Sequence, residues 1–158
     1  MPEHTQFFPS IDLKGTGSCA SFNLRRTARA VTRLFDLAFQ KSGIRSTQFA
    51  ILIGIAKTQP VSISALGDLL VIDRTTLTRS LRLLQKEGLL SISARSQKRQ
   101  RFLALTEKGA QSLAVATAEW HEIQERFVAA VGADNWSQLR KKLEDLAGIA
   151  LRLEADHE

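Results

Sequence analysis

The chain has 158 residues, of which 44% are hydrophobic and 24% are charged, and it carries a net charge of +6. These proportions are typical of a globular protein with one compact domain or two small lobes, and they exclude a disordered or fibrous chain. The single cysteine excludes an intrachain disulfide, and no apolar run reaches the roughly 18 residues that cross a bilayer, so we expect a cytoplasmic protein with no signal peptide and no membrane partner.

The first half of the chain is predicted to be an arm followed by three helices. Residues 1–18 contain prolines and glycines without a sustained apolar period, which indicates a loosely ordered arm. After this arm, apolar residues recur at steps of four and three up to an expected helix end at Gly43. A second helix is predicted from the N-cap candidate Ser46 to Pro60. A third begins after Ser62 and has an apolar face of Leu66, Leu69 and Leu70.

The stretch DRTTLTRSLRLLQKEG, from Asp73 to Gly88, predicts a fourth helix of unusual composition. Asp73 is a good N-cap, and Gly88 is a good residue just past the C-terminal end of a helix. Three leucines at helical spacing form a face that can be buried, namely Leu77, Leu81 and Leu84. The other face combines arginines with threonines, which are poor helix formers, and this pattern favours a surface that contacts a polyanion.

After Gly88 the apolar period changes from helical to alternating. LLSISA and RFLAL are short apolar segments separated by the basic segment RSQKRQ, which predicts a β-hairpin with a charged tip. Between Asp73 and Arg101 the sequence has eight cations and two anions, so this window carries as much net charge as the whole chain. Such a local excess favours a nucleic-acid partner, and a solvated basic face is the alternative.

Two long helices are predicted in the last third of the chain. Thr106 is the N-cap candidate of the first, which Gly132 ends, and the second starts near Asp134. Both carry apolar stripes with 3-4-3-4-3 spacing, which is typical of helices that pack side by side. These stripes offer more apolar surface than one small domain covers, so we expect a homodimer, with packing inside one chain as the alternative.

The order of these elements predicts the fold class. Four helices, a hairpin and two helices indicate a mainly α protein with a small β-hairpin wing, that is, a winged helix-turn-helix with a helical dimerisation lobe. In this fold the helix after the turn enters the DNA major groove, and the wing reaches phosphates or the minor groove. Short threonine side chains allow a close approach to base edges, and arginines reach guanines or phosphates.

The segment VIDRTTLTRSLRLLQKEGLL, followed by a basic loop and LALTEKG, resembles the MarR family of bacterial winged-helix transcription regulators. FNLRRTARAVTRLFD is also similar to the first helix of one MarR subgroup. The resemblance implies a homodimer that binds a pseudo-palindromic DNA operator, acts as a repressor and responds to a small aromatic or anionic effector. It divides the chain into an arm (1–18), a dimerisation lobe (19–45 and 106–158) and a DNA-binding domain (46–105).

This resemblance assigns roles to particular residues. The recognition helix offers Arg74, Thr75, Thr76, Thr78, Arg79 and Arg82. The wing offers Arg95, Lys98, Arg99 and Arg101, mainly for phosphates. The dimer interface is expected at Trp120, Trp136, Leu139, Leu143 and Leu146. Arg25 and Arg29, on one face of the first helix, are candidates for contacts with an anionic effector, and a solvated face or ion pairs with the partner subunit are the alternatives.

The chain departs from the family pattern at two places. Gln97 replaces the aspartate that commonly holds an arginine of the wing, so we expect a looser tip. Val71 stands where the turn before the recognition helix often has glycine. Because a β-branched residue tolerates positive φ poorly, we expect this turn to use another geometry.

Other functions remain as alternatives. Cys19 suggests a thiol switch, because MarR-like hydroperoxide sensors have a reactive cysteine at the start of the first helix. Alignment on ARAVT places their cysteine at Ser21, however, and this chain has no tyrosine to contact an oxidised thiol. His121 and Glu125 are four residues apart on a predicted helix, but polar residues on a solvent-facing side of that helix are a simpler explanation than a metal site, and we expect no cofactor. Without a phosphate-binding glycine loop or a nucleophile motif we expect no enzyme, which leaves a winged-helix module for protein or RNA as the other alternative.

The wing assignment leads to a prediction for Lys98→Ala. If the Lys98 ammonium contacts a phosphate, its removal weakens binding similarly for every DNA sequence and makes the slope of log affinity against log salt shallower by about one. The measurement is a salt titration of binding to two unrelated duplexes. An unchanged slope excludes Lys98 as a phosphate contact.

Overall fold

A computed structural model describes residues 14–94 and 101–157, and it confirms the expected mainly helical protein with a small sheet. Within these residues the helices are α1 (Ala20–Ala38), α2 (Ser46–Thr58), α3 (Ile63–Leu70), α4 (Arg74–Lys86), α5 (Glu107–Val131) and α6 (Ala133–Ala155). The strands are β1 (Val61–Ser62), β2 (Leu90–Ala94) and β3 (Arg101–Leu105).

The chain forms two compact units, residues 1–34 and residues 35–158. In the described part of the first unit, a 3-10 turn (Thr16–Ser18) leads into α1. The side-chain amide of Asn23 donates to the carbonyl oxygens of Gly17, at 3.0 Å, and Cys19, at 2.9 Å. One side chain of the helix therefore holds the turn that precedes it.

The second unit has a hydrophobic core to which α2, α3, α4, α5 and the sheet contribute. The three predicted leucines of α4 are 0–1% exposed, which confirms that this face is buried. The aromatic side chains continue the core toward α5, because Phe49 of α2 lies 4.9 Å from Phe39 and 6.4 Å from the stacked ring of Trp120, centroid to centroid. Trp120 thus packs against the core of its own chain.

The sheet has one strand more than the predicted hairpin. Its order is β1-β3-β2, with β3 antiparallel to both neighbours. Leu90 of β2 faces Leu105, and Val61 of β1 faces Leu103. The prediction of a two-stranded hairpin was incomplete because β1 has only two residues, too few to show an alternating pattern.

The predicted ends of the first two helices were wrong. α1 ends at Ala38, before Gly43, and Ser46 is the first residue of α2 rather than its N-cap. A carboxylate oxygen of Asp36 accepts the Ser46 amide at 2.7 Å, and the side-chain oxygen of Gln48 accepts the Arg45 amide at 2.8 Å. Free amides at the start of α2 are thus satisfied by Asp36 and Gln48, and the Ser46 hydroxyl is not needed as a cap.

Glu119 of α5 holds the connection between α1 and α2. Its side chain is 8% exposed, and its two carboxylate oxygens accept the backbone amides of Lys41, at 2.8 Å, and Ser42, at 3.1 Å. Burial alone would raise the pKa of Glu119, but the hydrogen bonds from Ser42 and Lys41 outweigh it and hold the pKa below its usual value. Glu119 is therefore ionised at neutral pH and ties this connection to α5.

The segment LTEKG, from the end of β3 into the start of α5, packs against the residues that follow α4. The Thr106 hydroxyl accepts the Gly109 amide at 3.0 Å, which confirms Thr106 as the N-cap of α5, and donates to the Gly88 carbonyl at 2.6 Å. The Lys108 ammonium donates to the Glu87 carbonyl at 2.8 Å. A Cβ on Gly109 would overlap the carbonyl oxygen of Leu89, so only glycine fits where the two backbones meet.

Gly109→Ala tests this backbone contact. The added methyl group must push Leu89 away, and we expect a loss of about 3 kcal/mol in the free energy of unfolding, the upper range for overpacking. The measurement is urea unfolding followed by circular dichroism. Gly148→Ala is the matched control, because its Cβ would meet only the flexible end of Arg152 at 3.5 Å, and higher helix propensity should stabilise it slightly. Equal effects of the two substitutions would contradict the account.

Glu119→Gln tests the carboxylate clamp and its pH dependence. Glutamine accepts from only one of the two amides, so we expect a loss of about 2 kcal/mol at pH 7. Because the folded-state pKa of Glu119 is lowered, its contribution is present above the usual value of 4.5 and is lost as the pH falls through the folded-state pKa. The difference in unfolding free energy between wild type and variant should therefore shrink in acid. Glu122→Gln, at an exposed position of the same helix, is the control. If the difference in unfolding free energy between wild type and Glu119→Gln persists at low pH, the proposed role of the Glu119 carboxylate is contradicted.

Candidate nucleic-acid interface

α3, α4 and the turn between them form a helix-turn-helix with a cap on each helix. The Ser62 hydroxyl accepts the Ala65 amide at 3.1 Å, and the Asp73 carboxylate accepts the Thr76 amide at 2.9 Å, which confirms Asp73 as the N-cap of α4. Hydrogen bonds from the Thr76 side chain and amide hold the pKa of Asp73 below its usual value. Asp73 is therefore ionised beside the positive end of the α4 dipole.

The turn adopts the geometry that we expected Val71 to avoid. Val71 lies in the left-handed region at φ 52° and ψ 48°, so that expectation was wrong. The turn needs this conformation because the Val71 amide donates to the Asp68 carbonyl at 3.3 Å and the Ile72 amide donates to the Gly67 carbonyl at 3.0 Å. These bonds hold a β-branched residue where it costs about 1–2 kcal/mol, and its side chain points into solvent at 58% exposure.

Leu69, on the helix before this turn, corrects another prediction. We expected it on the buried face of α3, but it is 55% exposed, whereas Leu66 is fully buried and Leu70 is partly buried. Leu66 and Leu70 are four residues apart and lie on one face of the helix, whereas Leu69 is rotated by about 100° from Leu70, away from the core.

The polar face of α4 is available to a partner. Arg74, Thr75, Thr76, Arg79 and Arg82 are exposed, and Thr78 is half-buried. Thr75, Arg79 and Arg82 are spaced by four and three residues, so they form one stripe along the helix. The Ser80 hydroxyl donates to the Thr76 carbonyl at 3.0 Å, so it is already hydrogen-bonded within the helix. The buried leucines and the exposed cations thus lie on separate faces of one helix.

A groove of about 640 Å³ lies between α3, α4 and the base of the wing. Its lining side chains are Ser62, Ile63, Ser64, Gly67, Asp68, Ile72, Arg74, Leu77, Thr78 and Arg101. The α3 wall has the spacing i, i+3, i+4 (Ser64, Gly67 and Asp68), and the α4 wall repeats it (Arg74, Leu77 and Thr78). The groove therefore brings together three of the predicted residues, Arg74, Thr78 and Arg101, but not Thr75, Arg79 or Arg82.

Sequence reasoning missed the α3 wall of this groove. Ser64 and Asp68 were not predicted as site residues, although the matched spacing on both sides of the turn was visible in the sequence. Asp68 is the acidic side chain of the groove, and it lies on the helix that comes before the basic window. The DNA-binding residues predicted from the sequence were cations and threonines, so an aspartate on α3 was not among them.

The other predicted site residues lie in different places. Arg95, Gln97, Lys98 and Arg99 fall outside the described residues. Trp136 is half-buried and meets Phe127 edge to face at 5.5 Å, whereas Leu139, Leu143 and Leu146 are 39–47% exposed. Cys19 is exposed immediately before α1, and Arg25 and Arg29 are exposed on α1.

Residues 14–94 and 101–157 contain no group of three His, Cys, Asp or Glu side chains arranged to hold a metal ion. In the same ranges, every helix is too short or too polar to span a bilayer.

Comparison with known proteins places this architecture in a family. Residues 44–99 match the MarR family. An uncharacterized HTH-type transcriptional regulator of Staphylococcus aureus is 28% identical over 102 residues, which cover 64% of this chain and 70% of that protein. The fold is shared with PcaV of Streptomyces coelicolor, a transcriptional regulator solved with its natural ligand, at 21% identity, a TM-score of 0.76 and coverage of 89% of this chain and 98% of PcaV.

A solved structure gives the stronger match. The M. tuberculosis transcriptional regulator MosR, in complex with DNA, is 32% identical with a TM-score of 0.79, over 85% of this chain and 97% of MosR. At 85% of this chain, the match extends well beyond residues 44–99. The chain therefore belongs to the MarR family of DNA-binding transcriptional regulators.

Proposed function

We propose that the protein acts as a homodimer that represses transcription by occupying a pseudo-palindromic operator. The α4 helices of the two copies would enter successive major grooves about one DNA turn, or 10 base pairs, apart. The observation that carries this proposal is the capped α4 helix, in which Leu77, Leu81 and Leu84 are buried while the arginines, Thr75 and Thr76 remain exposed. The structure of MosR in complex with DNA supports it.

Dimerisation is supported by the surface of α6. This helix has no buried residue, and Leu139, Leu143, Leu146, Ile149 and Leu153 are 39–57% exposed. A continuous leucine stripe of this kind is unfavourable in water, and a second copy of the chain would remove it from solvent. We assign Trp136 to the edge of this interface. Trp120 packs against the core of its own chain, so it would stabilise the helix α5 next to this interface rather than contact the partner subunit through its full surface.

We propose separate roles for the cations and threonines at the DNA-facing surface. Thr75 and Arg79, on the exposed stripe of α4, would read base edges, and Arg82 further along would contact a phosphate. The Thr76 side chain hydrogen-bonds Asp73, so Thr76 would act chiefly through its methyl group. DNA that enters the groove would contact Arg74, Thr78 and Arg101, which line it. The wing would contact phosphates through Arg95, Lys98 and Arg99.

We also propose which segments of the chain carry each function. Residues 46–105 would bind DNA, residues 19–45 and 106–158 would form the dimerisation lobe, and residues 1–18 would be an arm. A cytoplasmic location and the absence of catalytic activity follow from the role of a transcriptional regulator. We propose a small aromatic or anionic effector, with Arg25 and Arg29 as candidate contacts, which would bias the dimer between two spacings of its α4 helices.

The test is selection of duplexes from a random-sequence DNA library, followed by gel shifts with the selected duplex. We expect a two-fold symmetric motif, and binding that is at least about a thousandfold tighter than to random duplex. Failure to enrich any motif, with equal binding to all duplexes, would overturn the proposal. Selective binding to single-stranded RNA would instead support the alternative module.

Arg79→Ala tests base readout by α4. If its guanidinium contacts a base edge, we expect a loss of about 1–3 kcal/mol on the selected duplex, with relaxed preference at one position of each half-site. Random duplex should lose much less. Arg126→Ala, an exposed arginine of α5, is the matched control and should change neither affinity. Equal losses on selected and random DNA would remove Arg79 from base readout.

A further inference from the structure

We propose that Asp68 of α3 is a positioning residue that holds the guanidinium of Arg74 for DNA recognition and thereby sets sequence specificity. This inference rests on the proposed function, because it concerns the same DNA-facing groove. It adds an acidic residue to a surface that the sequence describes only by its cations.

These two lining residues flank the turn between α3 and α4. Asp68 is the lining residue of α3 nearest to the turn in sequence, and Arg74 is the first residue of α4 after it. Arg101 lines the other end, because Ser62 faces Phe102 in the sheet and Arg101 is the next residue of β3. Of the two arginines in the groove, Arg74 is therefore the partner within easier reach of Asp68.

Neighbouring carboxylates are engaged elsewhere. Asp73 is used in the cap of α4, and a Glu87 oxygen accepts from the Gln48 side chain at 3.2 Å at the far end of α4. Neither Asp68 nor Arg74 takes part in the ion pairs Arg45–Asp36 and Arg140–Glu144, and neither forms an ion pair with another charge in residues 14–94 and 101–157. Within these residues, the carboxylate and the guanidinium line one groove without a charged partner.

The backbones that carry these two side chains are fixed. Bonds from the Val71 and Ile72 amides to the Asp68 and Gly67 carbonyls lock the end of α3, and a Cβ on Gly67 would lie only 3.2 Å from the Ile72 carbonyl oxygen. The cap at Asp73 fixes the backbone next to Arg74. A fixed backbone on both sides leaves side-chain rotation as the motion by which the proposed contact between the carboxylate and the guanidinium would form.

The approach of DNA makes this pairing favourable. An unpaired carboxylate at the interface is repelled by the DNA phosphates. A carboxylate that binds one edge of a guanidinium is neutralised by it, so this repulsion is small, and the other donors of the guanidinium remain free for DNA. A planar guanidinium held in this way matches the O6 and N7 acceptors of guanine. Asp68 should therefore weaken binding to random DNA and strengthen discrimination at the base that Arg74 reads.

A double-substitution cycle tests this proposal on the selected duplex and on a random duplex of equal length. Asp68→Asn should raise affinity for random duplex and lower affinity for the selected duplex, so that their ratio falls about tenfold. In an Arg74→Gln background, Asp68→Asn should leave the ratio unchanged. In an Arg101→Gln background, it should still produce the full fall. Repeated selection should relax the same base position for Asp68→Asn as for Arg74→Gln.

Two further results bear on the proposal. Asp68→Glu keeps the charge but shifts the carboxylate. It should keep the wild-type affinity for random duplex but lower the ratio of the affinities for the selected and the random duplex. This variant tests the proposal even if Asp68→Asn folds poorly. The positioning role is overturned if Asp68→Asn raises the affinity for both duplexes equally. It is also overturned if the losses in specificity caused by Asp68→Asn and Arg74→Gln are additive in the double variant. If the wild type selects no motif at all, the proposed function itself has failed, and this is recognised before any Asp68 variant is compared.

Discussion

The contact of two backbones at Gly109 and Leu89 is the constraint on which the DNA-facing surface depends. A side chain on Gly109 would overlap the Leu89 carbonyl, so α5 begins in direct contact with the chain that leaves α4. Thr106 adds a cap for α5 and a hydrogen bond to Gly88 in the same place. The direction of the recognition helix is thereby fixed relative to the first turns of α5. Threonines and arginines on the opposite face of α4 are presented by a rigid support, which precise readout requires.

This rigidity has a consequence for regulation. Because the end of α4 and the start of α5 are joined through backbone and cap, a change in the spacing of two recognition helices cannot arise at that junction. The connection between α1 and α2 is held differently, by the carboxylates of Glu119 and Asp36 on backbone amides. Contacts of this kind are hydrogen bonds rather than interlocked backbones, so they can break and re-form.

The sequence predicted the elements whose signals are local. The bounds of α4 followed from Asp73 and Gly88, and its buried face followed from three leucines at helical spacing. The two-residue β1 gave no periodic signal, and the start of α2 was misjudged because its cap comes from Asp36, ten residues earlier in the chain. Val71 was misjudged because hydrogen bonds of the turn outweigh an intrinsic preference of about 1–2 kcal/mol. Asp68 was missed because the groove that it lines forms only when α3, α4 and the sheet pack together.

The central claim is that two copies of α4 read DNA as a symmetric pair. Hydroxyl-radical footprinting of the wild-type protein on its selected duplex tests it most directly, because it reports which sugars are covered at single-nucleotide resolution. The account predicts two equivalent protected regions on one face of the duplex, related by two-fold symmetry, with centres about 10 base pairs apart. A single asymmetric region, or uniform weak protection along the duplex, would contradict it.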